Sequence, residues 1–484
     1  MTDADSTSDS DSDASSTESA APSQQEDQAT VSSSRLMEGN VSRTVLFLAL
    51  PVLAEQFLNF LVGFVDTYLS GRISAAATSA IGTGAYVNWL AELLYSMIGI
   101  GTTALVARQW GSGDHEDASR VASTSIWLAV LFGSAGVVLM LVAAPAFGWF
   151  LGLDQVTNDL SVRYLRLSSF GHVFSCVTLV GASALRGAGN MRAPMWILGL
   201  VSILNVLFSS ILVFGFGPIA PLGVDGIAFG TIAARGTGCL LMGWVLFSGL
   251  TELTPSFGKH SLKDGTTARR IIRIGAPAAM DGLSMWSGHF LFLKIIAGLD
   301  AGAQKAVNYA AHIVGVEVEA LNYLPAWAWG TAAATLIGQS LGANVPGRAR
   351  SGGHAAVLQA SLLAFVIMLV FYFGAETIYE LMHKDSEVRA VGVPALRLLA
   401  MFEIPLSVTI VYAVGVRGSG STVPPMIINF VGVFLVRLPM AWLFAFEFDM
   451  GLRGAWLGMG IDVIVRGIAM GLYFEFGRWC QTKV

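Results

Sequence analysis

Charge is scarce in this chain. Asp, Glu, Lys and Arg make up 13% of its 484 residues, against about 25% in a typical soluble domain. Hydrophobic residues reach 54%, and the mean hydropathy is +0.64. That balance excludes a set of soluble domains and points to lipid as the solvent. Cysteine is also scarce. Cys176, Cys239 and Cys480 lie in or beside apolar stretches with no paired spacing, which argues against disulfides and a metal site. Positive charge is missing from residues 1–34, and no apolar core follows a basic start, so no cleavable signal peptide is expected there and insertion is expected to fall to the first membrane helix. Neither zinc-ligand spacing nor a nucleophile elbow occurs. The turns "RGAGN" and "RGSGS" superficially resemble phosphate-cradling loops but lack the Lys-Ser/Thr ending. The expectation is a protein that is not an enzyme, carries no cofactor and binds no nucleic acid.

What is present is apolar sequence in long runs. Requiring about 20 mainly apolar residues per helix gives twelve spans: 45–69, 79–106, 121–145, 164–185, 194–217, 224–249, 274–298, 307–337, 355–380, 393–416, 424–446 and 453–477. Residues 1–34 are the exception. This Ser- and Asp-rich segment holds eight carboxylates, without which the net charge of −5 becomes +3, and it has too little apolar surface to order itself. Arg108, Arg120, Arg186, Arg192, Arg348, Arg350 and Arg417, with the basic stretch 259–273, fall on the side that holds the N-terminus. Arg72, Arg163, Arg166, Lys305, Lys384, Arg389 and Arg453 are left on the other. Both termini are therefore expected in the cytoplasm, with the protein in the plasma (inner) membrane.

The chain also repeats itself. "LRGAGNMRAPM" from Leu185 lies against "VRGSGSTVPPM" from Val416 at an offset of 231. "LGVDGIAFG" matches "MGLRGAWLG", and "LVARQWGSGDHEDASR" from Leu105 matches "TLIGQSLGANVPGRAR" from Thr335, pairing Gln109 with Gln339. Their common order implies two parallel six-helix bundles around a central cavity, an all-α transporter architecture. The expected divisions are an acidic tail at 1–34, a first bundle at 35–250, a basic linker at 251–273, a second bundle at 274–478 and a short tail at 479–484.

Inside the first span, "LALPVLAEQFLNFLVGFVDTYLSG" carries Glu55, Asn59 and Asp66. At 100° per residue they project at about 0°, 40° and 20°, a single polar stripe. A carboxylate at the bilayer centre costs roughly 2.5–3.5 kcal/mol on insertion scales, so the stripe should face a wet or protein-lined interior. There it could exchange a proton for a cation. Aligning Pro51 with Pro277 pairs Glu55 with Asp281, Asn59 with Met285 and Asp66 with Phe292, which places ion coupling mainly in the first half. Trp89, Trp286, Trp327, Trp329 and Met285 could wall a cavity for flat cations, and Asn322 is either a ligand or interhelical glue. Trp149 and Trp442 fit the interfacial belt, and Arg186 and Arg417 suit headgroup anchors or helix caps. Structural ion pairs are expected for Glu92, Glu403 and Asp462, with Arg397, Arg437 and Arg466 as candidate partners.

From about Arg43 to Arg478 the chain resembles the multidrug and toxic compound extrusion (MATE) family. The matching residues are "LPVLAEQFLNFLVGFVDTYLSG", "GTTALVARQWGSGDHEDASR", "LRGAGNMRAPM", "AAHI" at Ala310, "IGQSLGANVPGRAR" and "VRGSGSTVPPM". The resemblance implies a monomeric antiporter among membrane lipids that exports small amphipathic, often cationic compounds against H+ or Na+ entry. The family's first-helix Asp falls on Asp66. Its Asn with an acid four residues on falls on Asn205 and Ser209, where the serine departs from the pattern. That departure leaves protons, or a weaker Na+ site with Glu55 as substitute. A flippase for lipid-linked saccharides and a non-transporting receptor or scaffold are the competing classes.

Overall fold

The computed structural model describes residues 39–482 except 152–154, 219, 256–263 and 300–302. The expected acidic tail and part of the expected linker lie outside the described residues, as do the side chains of Trp149 and Lys305. The described residues from Asn40 onward pack as one compact unit. Its helices are α1 (Val41–Gly71), α2 (Ala75–Gly111), α3 (His115–Leu151), α4 (Gln155–Ser169), α5 (Gly171–Gly187), α6 (Arg192–Phe214), α7 (Val224–Phe247), α8 (Gly265–Ala297), α9 (Ala303–Gly342), α10 (Pro346–Met382), α11 (Ser386–Ala400) and α12 (Glu403–Gly418). They are followed by α13 (Val423–Val431), α14 (Leu438–Trp442) and α15 (Gly451–Phe476).

Among the described residues, eight helices are long and apolar enough to cross a membrane, or ten if each bent pair counts as one span. Two expected spans are broken. The segment read as 164–185 bends by 48° between α4 and α5, and that read as 393–416 bends by 55° between α11 and α12. The two breaks occupy equivalent places in the repeat, just before the helices that end in the Arg-Gly-x-Gly motifs. Leu131, Val142, Leu240, Trp244 and Phe373 are exposed apolar side chains, as a lipid-facing surface requires.

Local chemistry sets the helix ends. Asn40 caps α1, its side chain accepting from the Ser42 and Arg43 amides, and Ser74 caps α2. Asp264 caps α8, accepting from the Thr267 amide at 3.0 Å and from the Thr266 and Thr267 hydroxyls at 2.5 and 2.6 Å. Burial pushes its carboxyl up, but these hydrogen bonds and Arg120 outweigh it and hold the group at about 2. Pro51 and Pro277 sit inside α1 and α8 at the positions aligned in the repeat. Helix α13 runs on through two π-helical stretches, Gly432–Arg437 and Leu443–Glu447, a wide-turn geometry often found beside functional groups.

Helix α2 joins the two halves by packing against α8 and α9. Glycine permits the closest approach: a Cβ on Gly275 would stand 1.8 Å from the Met97 carbonyl oxygen, and one on Gly342 would stand 2.0 Å from that of Arg108. Backbone cannot yield as a side-chain tip can. Gly275→Val should therefore cost at least about 1–3 kcal/mol in thermal unfolding of the detergent-solubilised protein. Gly243→Ala, where no atom stands within 4 Å of the added carbon, should unfold near the wild-type temperature.

Candidate functional site

The polar groups sort into three places. In the first, a cavity of about 200 Å³ opens between α1, α2 and α5 from the first half and α9 and α12 from the second. Glu55, Thr103, Arg186, Trp327, Thr331 and Arg417 are among its lining residues. Arg186 ends α5, and its Nη2 donates to both Glu55 oxygens at 2.5 and 2.6 Å. The repeat reproduces this pairing. Arg417 at the end of α12 donates to Asp281 of α8, which also accepts from Asn429 Nδ2 at 3.0 Å. Arg186 and Arg417 are thus partners of the mid-helix acids, not headgroup anchors or caps. The aligned acids, Glu55 and Asp281, and the aligned motif arginines were both visible in the sequence, and only their pairing was missed.

The second place is the interior of the second half. From Asp281 the network runs through Asn429, whose Oδ1 accepts from Arg466 Nη1 at 3.2 Å, and on to Asp462, which accepts from Arg466 and Arg437. Gly432, in the wide π turn, makes room: a Cβ there would stand 2.4 Å from Asp462 and Arg466 side-chain atoms. Asn322 donates to the carbonyl and carboxylate of Glu403 and accepts from Ser407 at 3.2 Å. The expected Asp462 partners are found. Arg397 pairs with Glu376, Glu92 is met by Arg235, and Glu403 by the Asn322 amide, so the three expected arginines serve only Asp462 among the three acids. Asp281 and Asn322, 2% and 1% exposed, belong to these interior networks and not to the cavity wall. Met285 meets Arg466 through its sulfur at 3.9 Å. Trp89 and Trp286 meet across the α2–α8 seam with their rings tilted by 56° and centroids 3.9 Å apart, beyond the residues that line the cavity.

The third place is the first half around α6 and α7. Asn205 on α6 donates to Thr231 Oγ1 at 3.0 Å, and Thr231 donates to the Ile227 carbonyl. Ser209 is pressed against the same helix, since a Cβ on Gly230 would stand 2.6 Å from its Oγ. Asp66 arrives from α1. Leu69, three residues on, shares a buried cluster with Tyr164 of α4 and with Ile227 and Ala228 of α7. The charge of Arg235, one turn beyond Thr231, reaches Asp66 and Tyr164. Among the described residues, Asp66 Oδ1, Asn205 Oδ1 and Ser209 Oγ are buried without a hydrogen-bond partner. Three orphaned oxygens in one region form an acceptor-rich set suited to a proton or a hard cation. Tyr164, Thr231 and Arg235 were missed by the sequence reading.

The stripe on α1 therefore does not act as one site. Asn59 is exposed and accepts from Ser202 at 3.3 Å. Glu55 lies about 16 Å along the helix from Asp66 at 1.5 Å per residue and is held by Arg186, so it cannot replace a ligand beside Asp66. The ion pair itself is testable. Arg186→Met should destabilise the protein by about 3–5 kcal/mol because it strands a buried carboxylate. Adding Glu55→Gln should restore most of the loss in a double-mutant cycle read by thermal unfolding.

Comparison with known proteins places this geometry. The MatE family model matches residues 51–211 and 277–443, once in each half. Among curated relatives, a probable multidrug resistance protein NorM of Thermotoga maritima is 28% identical over 448 residues, covering 92% of this chain and 94% of its own. The multidrug resistance protein PmpM of Pseudomonas aeruginosa is 26% identical, with 90% and 91% covered. Among solved structures, a MOP superfamily transporter from Pyrococcus furiosus superposes with a TM-score of 0.86 at 21% identity, over 93% of this chain and 98% of that one. An outward-facing multidrug resistance MATE transporter superposes with a TM-score of 0.85, also at 21% identity, over 91% and 96%. At these identities the structures establish the fold.

Proposed function

The chain belongs to the MatE family, and on that premise we propose that it is a secondary active antiporter exporting amphipathic, cationic organic compounds in exchange for H+ or Na+. The observation that carries this reading is the set of orphaned oxygens on Asp66, Asn205 and Ser209 beside Thr231, in a multi-pass membrane protein. The similarity to multidrug resistance proteins of Thermotoga maritima and Pseudomonas aeruginosa supports it. In this reading the chain makes twelve spans in two bundles of six, residues 35–250 and 274–478, with both termini in the cytoplasm. The cavity between the halves holds the substrate. Ion binding at Asp66 rearranges the first bundle and lowers substrate affinity, and coupling requires that the ion and substrate favour different facing states. Trp327 on the cavity wall offers a cation-π face.

A flippase for lipid-linked saccharides would need unpaired basic groups to hold phosphate. Arg186 and Arg417, which line the cavity, are each bound to a carboxylate, so the antiporter reading is preferred. The test is flux of a fluorescent organic cation in proteoliposomes under imposed H+ and Na+ gradients. Asp66→Asn should fold, unfold at a near-wild-type temperature and lose gradient-driven flux. Undiminished flux in that variant would overturn the assignment of Asp66.

A further inference from the structure

We propose that Arg235 is a tethered cation that competes with Na+ for Asp66, so that the coupling ion of this transporter is the proton. The inference rests on the antiporter reading and deepens it. Arg235 projects from α7 on the face that carries Ala228 and Thr231, at about −20°, 0° and −60° for residues 235, 228 and 231 by helical periodicity. Ala228 belongs to the buried cluster that holds Leu69, one turn from Asp66. Arg235 is anchored on one side only. Its Nη2 donates to Glu92 Oε1 of α2 at 3.2 Å, while its Nη1 is buried with no partner among the described residues. Asp66 Oδ1 is likewise buried and unpartnered. A spare guanidinium donor and a spare carboxylate acceptor, each within the other's field, are two halves of a bond that is absent from this arrangement.

The groups facing Asp66 define the switch. Arg235 on α7 is the cation whose charge reaches it. Glu92 on α2 competes for that cation, Tyr164 on α4 and His172 on α5 lie within the reach of Arg235, and Asn205 on α6 is neutral. On α1 itself Arg72 caps the helix end, and Glu55 is tied to Arg186. With Asp66 protonated, its neutral carboxyl exerts little pull and Arg235 rests on Glu92, the arrangement observed. On losing the proton, the carboxylate attracts Nη1. The guanidinium then neutralises Asp66 where Na+ would otherwise sit, and only a proton can release it. Ser209 fits this scheme, because a site that carries its own cation has no need of a further carboxylate for Na+. The step is a proton transfer with an exchange of ion-pair partners, and no other bond changes.

The test reads protonation directly. The carboxylic C=O infrared band of Asp66, identified by its loss in Asp66→Asn, is titrated in full-length protein in liposomes, in sodium chloride and in choline chloride. Wild type should titrate at the same pH in both salts. An adjacent cation favours the carboxylate, so Arg235→Gln should raise the midpoint by about one pH unit or more in choline, and Na+ should lower it again. Arg235→Lys should stay near wild type. Glu92→Gln releases Arg235 towards Asp66 and should lower the midpoint. Glu92 is partly exposed, so this variant decides the matter even if Arg235→Gln does not fold. A Na+-sensitive wild-type midpoint, an Arg235→Gln midpoint that does not move, or a Glu92→Gln midpoint that fails to fall would each overturn the proposal. Retained flux in Asp66→Asn would instead overturn the antiporter assignment and leave these titrations as they are.

Discussion

A charge taken out of water must find an opposite charge close by, and the interior of this protein is organised around that requirement. Each half carries an acid near the middle of its first long helix and an arginine in the Arg-Gly-x-Gly motif that closes the second helix of its bent pair. Folding brings the two together, Arg186 on Glu55 and Arg417 on Asp281. In each half a sequentially distant helix end is thereby held against the first helix, and both arginines reach the cavity between the halves. Breaking either pair strands a buried charge, so the pairs fix the packing of the first helix of each half against its own bundle.

The halves then diverge. In the second, Asp281 continues through Asn429 and Arg466 to Asp462 and Arg437, and the acids of that network meet arginines or amides. In the first, the C-terminal part of α1 leaves Asp66 with an unfilled oxygen, and Asn205, Ser209 and Arg235 on α6 and α7 each keep an unpartnered polar atom as well. Neither interior is fully satisfied, since Asp281 and Glu403 each keep one buried oxygen without a partner among the described residues, but only in the second half does an arginine-rich network reach the mid-helix acid. The glycine approaches along α2 let backbones of the two halves meet closely, so that a small rearrangement in one is felt by the other.

Much of this was legible in the sequence. The helical repeat, the family and the interior position of Glu55 and Asp281 followed from apolar runs, matched motifs and the cost of charge in lipid. The bends at Ser169–Gly171 and Ala400–Glu403 were not, because each falls inside a stretch that is long and apolar enough on average to count as one span. Arg186 and Arg417 were misassigned because each sits beside a polar turn, and the sequence does not say that the side chain points back into the bundle. Thr231 left no signal, since a threonine that bonds the carbonyl four residues earlier is ordinary in an apolar helix. Arg235 did leave one, a cation inside an apolar span, but its significance depends on Asp66 and Glu92, which come from two other helices. Periodicity alone put Glu55 and Asp66 on one stripe, and the rise along the helix separates them by about 16 Å.

The central claim is that substrate and proton exclude one another through Asp66. The most direct measurement is proton release on substrate binding: purified protein in weakly buffered solution with a pH-sensitive dye, titrated with a transported organic cation. The account predicts that binding releases protons near the pH at which Asp66 titrates, and that Asp66→Asn binds the cation without release. Equal release from wild type and Asp66→Asn, or binding to wild type with no release across the titration range, would contradict it.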